Sequence, residues 1–215
     1  MKRAFPVFFL TLAGLAGSLA NVGAHPGSGI VVDRDGQVFF QDALARTIWK
    51  IDAKGALSVH EDKIGGHWMA LDQEGRFAAH ETKLVERTPT GRGAAQLIVA
   101  DGGAPVALGT DGSLFYGLAT SDAGDAMVGM SKISPSGKRE AFAPNLSATI
   151  ADLGITGISS GPDGALYLAC LSAIMRVTVD GKVSTIINPV ALNDCDPIES
   201  TVFLRGLAVD ANGTM

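Results

Sequence analysis

GIVVDRDGQVFF, Gly29 to Phe40, is an apolar run, a tight acidic-glycine turn and a second apolar run. That order is the signature of a β-hairpin. The chain writes it four more times: WMALDQEGRFAA from Trp68, PVALGTDGSLFY from Pro105, GISSGPDGALYL from Gly157 and GLAVDANGTM from Gly206. The turn residues explain the repetition. Asp35-Gly36, Glu74-Gly75, Asp111-Gly112, Asp163-Gly164 and Asn212-Gly213 pair a side chain suited to Asx-type hydrogen bonding with a residue that tolerates positive φ. These side chains are expected to serve the turn rather than a ligand.

The five turn glycines stand 39, 37, 52 and 49 residues apart. Four short strands per repeat fit that period, which is the period of a propeller blade. The second half of each repeat agrees. Thr47–Ile51 leads through Asp52-Ala53-Lys54-Gly55 to Leu57–Val59, and Gly129–Ile133 and Ile174–Thr178 are followed by similar turns. Turn signals every 8–12 residues between alternating runs predict an all-β chain, and no helical period competes after residue 24.

The first 24 residues are different. Lys2 and Arg3 precede a mostly apolar stretch, and Val22-Gly23-Ala24 closes it with small residues. This is the layout of a secretory signal peptide, so the expectation is a removed leader, 1–24, and an exported propeller domain, 25–215, in the periplasm or outside the cell. Without the leader, 15 basic residues face 22 acidic ones, a net charge of −7. No basic footprint for nucleic acid is present, and no later apolar run is long enough to span a bilayer. Nothing in the pattern indicates an oligomeric state.

The motif G-Φ-x-x-D-x-x-G-x-Φ-Y/F (Φ apolar), followed by Φ-x-R/K-Φ-x-x-x-G, resembles NHL-type repeats and the six-bladed propellers of the gluconolactonase and regucalcin superfamily, virginiamycin B lyase included. The resemblance covers nearly all of residues 28–215. It implies six blades of about 44 residues each, of which this chain holds about four and a quarter, so the expectation is a domain continued beyond Met215. Repeats of this kind specify a fold better than an activity.

In a four-stranded blade the short turns gather on one face and the remaining connections on the other. The longer segments 60–67, 79–84, 117–128, 139–156 and 188–205 therefore fall opposite the acidic-glycine turns, on the face where a rigid scaffold presents binding loops. Counting back eight from each turn glycine gives Ser28, His67, Ala104, Thr156 and Arg205, positions expected to ring the channel. His67 suits a catalytic base or metal ligand near neutral pH, and equally a structural histidine. Arg205 suits a carboxylate or phosphate clamp, with Ser28 and Thr156 as further ligand contacts. Asp194, Asp196 and Glu199 offer the hard oxygens that a divalent cation such as calcium takes, or form a solvated acidic loop.

His60 opens the HEDKIGGH loop, and His80 and Glu81, adjacent on a strand end, point to opposite sides. Asn145-Leu146-Ser147 matches a glycosylation sequon. The two cysteines, Cys170 and Cys195, reach the looped face, and export makes a disulfide between them the expectation.

Three functions compete at this stage. One is an exported propeller that binds a small molecule, a glycan or a protein on its looped face. Another, implied by the resemblance, is a metal-dependent lactone hydrolase. Its cation ligands would fall at or near Ser28, Thr156 and Arg205, none of which is the expected residue type, and an arginine repels a cation. The third is a lyase of the virginiamycin B type with His67 as base.

Overall fold

The computed structural model describes residues 29–77, 84–100, 105–122, 125–143, 146, 155–170, 173–187, 207–210 and 212–215, with backbone alone for 118–122 and 125–128. The secondary structure is all β among these residues.

The first blade is a meander of β1 (Ile30–Val32), β2 (Val38–Asp42), β3 (Thr47–Ile51) and β4 (Leu57–Asp62), paired antiparallel in chain order. The register runs Val31↔Phe39 and Phe39↔Lys50. Its first turn closes with Gly36 N–H donating to the Asp33 carbonyl at 3.1 Å, and Gly36 takes φ 76°. This is a turn followed by a left-handed residue, the geometry that makes glycine necessary there.

The second blade contains β5 (Trp68–Asp72), β6 (Val85–Pro89) and β7 (Gln96–Ala100), but its order is β5-β7-β6. β7, QLIVA, is buried along nearly its whole length and lies between two partners, whereas β6, VERTP, is polar and ends in proline. Proline and charge suit a sheet edge, and the apolar strand gains most from the centre.

The third blade is β8 (Val106–Leu108), β9 (Leu114–Asp122), β10 (Asp125–Ile133) and β11 (Arg139–Ala143), and the fourth is β12 (Ile155–Ser160), β13 (Leu166–Cys170), β14 (Ala173–Val177) and β15 (Val183–Ile187). Segment 117–128, expected as an irregular connection, is a regular ladder paired as far as Asp122↔Asp125. No proline or turn dipeptide interrupts residues 117–122. Likewise 139–143 is a strand and not a loop.

The blades stack face to face. Phe39 and Ile48 pack on Met69, Leu97 and Val99 between blades one and two. Phe77, Ile98, Leu114, Tyr116 and Ile133 fill the next gap. Phe115, Met130, Leu166, Leu168, Met175 and Val177 fill the third. Each strand shows one set of alternate residues to the preceding blade and the other set to the following one.

The turns carry a correction. Where an aspartate stands three residues before the glycine, it is that carboxylate which caps the turn: Asp33 Oδ1 accepts the Asp35 and Gln37 N–H groups, both at 2.9 Å, and Asp210 Oδ1 accepts those of Asn212 and Thr214, both at 2.8 Å. Asp72 caps with both oxygens, Oδ1 accepting the Glu74 N–H at 3.3 Å and Oδ2 the Phe77 N–H at 2.7 Å. Asp35, Glu74 and Asn212 are therefore displaced from the expected capping role. In blades three and four that earlier position is glycine, Gly109 or Gly161, and Asp111 and Asp163 do cap, accepting from Ser113 at 2.9 Å and Ala165 at 3.1 Å.

Candidate functional site

β1, β5, β8 and β12 are each the terminal strand of their sheet, and neighbouring members touch one another around a common axis. Each pairs with one strand, so the other backbone edge faces inward. Between them, and against residues 207–209, lies a cavity of about 620 Å³, within the range of small-molecule sites.

The repeat explains its wall. Six residues before each turn glycine stand Ile30, Met69, Val106, Ile158 and Leu207, all on the wall. Five before stand Val31, Ala70, Ala107, Ser159 and Ala208. Trp68 and Gly157 extend the wall by one residue. Among the described residues the wall carries no charged side chain, and its hydroxyls are those of Ser159 and Ser160. The Ser160 hydroxyl donates to the Leu108 carbonyl, which ties blade four to blade three.

A second cavity of about 320 Å³ opens at the acidic-glycine turns and shares Leu71, Leu108, Ser160 and Val209 with the first. Its polar groups are largely committed. Glu74 takes Arg34 at 3.1 Å and Arg76 at 3.3 Å, and Asp210 is held below the usual carboxylate range chiefly by the Thr214 and Asn212 N–H groups. The two cavities form an apolar shaft with a charged mouth.

Of the predicted catalytic and ligand positions, His67 and Thr156 are described. His67 is exposed and immediately precedes β5, and its N–H donates to the Ala100 carbonyl at 3.0 Å. Thr156 donates its hydroxyl to the Ala169 carbonyl at 3.0 Å, where β12 shifts register. Neither lines the axial cavity, whose wall begins at the next residue. Ser28, Arg205, Asp194, Asp196, Glu199, Cys195, His80 and Glu81, with Ala104 and Asn145, lie outside the described residues. Cys170 is wholly buried, and burial pushes its thiol up to about 11.

The lactonase reading asks for anionic oxygens around a cation. Thr156 is the described member of its ligand positions, and a neutral hydroxyl engaged by Ala169 does not supply one. Among the described residues no group of three or more His, Cys, Asp or Glu side chains is placed to hold an ion.

His60, expected on the loop, sits on β4 as a tie between blades. Its Nε2 lies 3.0 Å from the Pro89 carbonyl and its ring meets Phe39 edge-on at 5.0 Å. Burial pushes the imidazole below its ordinary value, and the Pro89 bond opposes that in part. The wall residues follow a sequence signal that the count of eight passed over: an apolar residue stands six before every turn glycine, and in four of the five repeats another follows it.

The architecture defines the chain as a β-propeller with blades of the four-stranded type. No protein-family profile matches it, and no curated protein sequence does. Solved structures do. A gluconolactonase from Xanthomonas campestris is similar over 86% of this chain and 67% of its own, with 14% identity and a TM-score of 0.54. Regucalcin, a calcium-binding protein from Agrobacterium tumefaciens, is similar over 87% and 65%, with 19% identity and a TM-score of 0.51. Virginiamycin B lyase from Staphylococcus aureus aligns over 74% of this chain at 18% identity and a TM-score of 0.47, and the chain spans 55% of that protein's length. At these identities the likeness is one of fold, as the repeat motif implied.

Proposed function

We propose that the chain is an exported β-propeller that binds a ligand, a small molecule, a glycan or a protein, with the axial cavity as the seat of a small molecule. The observation that carries the reading is the shaft itself. Four inner strands and residues 207–209 surround a cavity of about 620 Å³ whose wall is aliphatic at nearly every place. Among the described residues the wall carries no charged side chain, which suits holding and shielding a small molecule. Export rests on the composition of residues 1–24.

The competing reading is metal-dependent lactone hydrolysis. The deciding experiment offers sugar and aliphatic lactones to the leader-free protein with calcium, magnesium, manganese or zinc supplied and then chelated. The binding reading expects no turnover with any metal from folded protein, together with saturable ligand binding. Metal-dependent turnover that is lost in His67→Ala would overturn it in favour of an enzyme.

A further inference from the structure

We infer that the shaft selects an uncharged, apolar small molecule, so that the ligand is an aliphatic or aromatic compound and not a sugar or an ion; this rests on the binding reading above. The argument begins with what the wall can and cannot satisfy. A polyhydroxylated ligand needs a partner for each hydroxyl it buries, and each one left unmade costs about 1–3 kcal/mol. Among the described residues the wall side chains supply two hydroxyls, and that of Ser160 is already given to Leu108. A charged ligand would fare worse, because a buried charge needs a charged or multiply hydrogen-bonded partner.

An apolar ligand meets no such cost. Ile30, Met69, Val106, Ile158 and Leu207 put apolar surface on the wall. Covering it is favourable at about 25 cal/mol per Å². The polar features that remain are Ser159 and the inward backbone edges of the inner strands. They suit carbonyl or hydroxyl groups on an otherwise apolar body. The charged groups stand at the mouth, where Glu74 and its two arginines are already paired.

The chain contains its own reporter. It has two tryptophans: Trp68 on the shaft wall, and Trp49 on β3, whose strand partner Val59 is exposed at the rim of blade one. With Trp49→Phe in place, emission comes from Trp68 alone. The probe is N-phenyl-1-naphthylamine, uncharged and apolar, titrated into the leader-free protein and read as saturable quenching of Trp68.

We expect one site per chain, weakened about tenfold or more by Ala208→Phe, which fills the shaft, and by Ala208→Asp, which charges it. Circular dichroism verifies that both variants fold, and a variant that does not is replaced by the same substitution at Ala107, also on the wall. Val59→Lys should leave binding unchanged. Absence of saturable quenching overturns the inference, as does binding that survives both Ala208 variants or is lost with Val59→Lys. These failures leave glycan or protein binding standing, whereas metal-dependent lactone turnover removes the binding reading itself.

Discussion

The guanidinium of Arg176 meets the carboxylate of Asp163 at 2.6 Å, and Arg176 stands directly across the ladder from Tyr167. Blade three repeats the arrangement with Lys132 and Asp111 at 2.9 Å, and Lys132 lies 5.5 Å from the centre of the Phe115 ring. A cation on the third strand thus clamps the first turn while resting beside the aromatic of the second strand. The Arg176 bond is the main reason that Asp163 is held below the usual carboxylate range. A carboxylate with a lowered folded value adds stability above its unfolded value near 4, and that stability is lost as the pH falls through the lower folded value. Asp163→Asn keeps the acceptor for Ala165 and removes the charge. It should lower the melting temperature slightly at pH 7, and the difference should vanish in high salt and in strong acid, because the pair is exposed.

Gly161 explains why that clamp can close. A β-carbon there would come within 2.6 Å of the Tyr167 ring and 2.7 Å of Asp163 Oδ1. Gly109 is in the same position against Phe115 and Asp111. Gly161→Ala should therefore destabilise by roughly 1–3 kcal/mol, the usual cost of overpacking. Urea denaturation measures it, and a change within error would show that the ring and carboxylate move aside freely.

Phe39 is completely buried between blades one and two, against Ile48, Met69, Leu97 and Val99. Truncation to alanine removes a ring from a packed gap between two sheets, and Phe39→Ala should cost about 3–5 kcal/mol. Val59, on the same blade but 49% exposed, should tolerate Lys with little change. Equal effects at the two positions would contradict this assignment of the faces.

The fold was legible because its determinants are local. Gly36, Gly112 and Gly164 close the hairpins β1–β2, β8–β9 and β12–β13, and the apolar runs beside them fix which residues face the neighbouring blades. Blade two was not legible, since its order depends on a competition between β7 and β6 for the central place. Nor was the role of Asp33: one aspartate three residues before the glycine takes over the capping of another one residue before it, and only the geometry decides between them. The candidate site was legible only in part: at the two described positions eight before the glycine, His67 and Thr156 are anchored to the Ala100 and Ala169 carbonyls, and the cavity wall starts one residue later, at Trp68 and Gly157. Periodicity locates a strand without fixing where its edge meets the axis.

His60 supplies the last prediction, a dependence of stability on pH. Its ring lies edge-on to Phe39 and bonds to the Pro89 carbonyl, and burial lowers its folded value below the ordinary one. The unfolded chain therefore takes up the proton first as the pH falls. The histidine's contribution is fully present above an unfolded value near 6.5 and declines as the pH drops from there toward the lower folded value. Chemical denaturation of the native chain between pH 8 and 5 should show this decline, and His60→Gln should flatten it across that window. The same curve in both proteins would assign the pH dependence to other groups and leave His60 as packing alone.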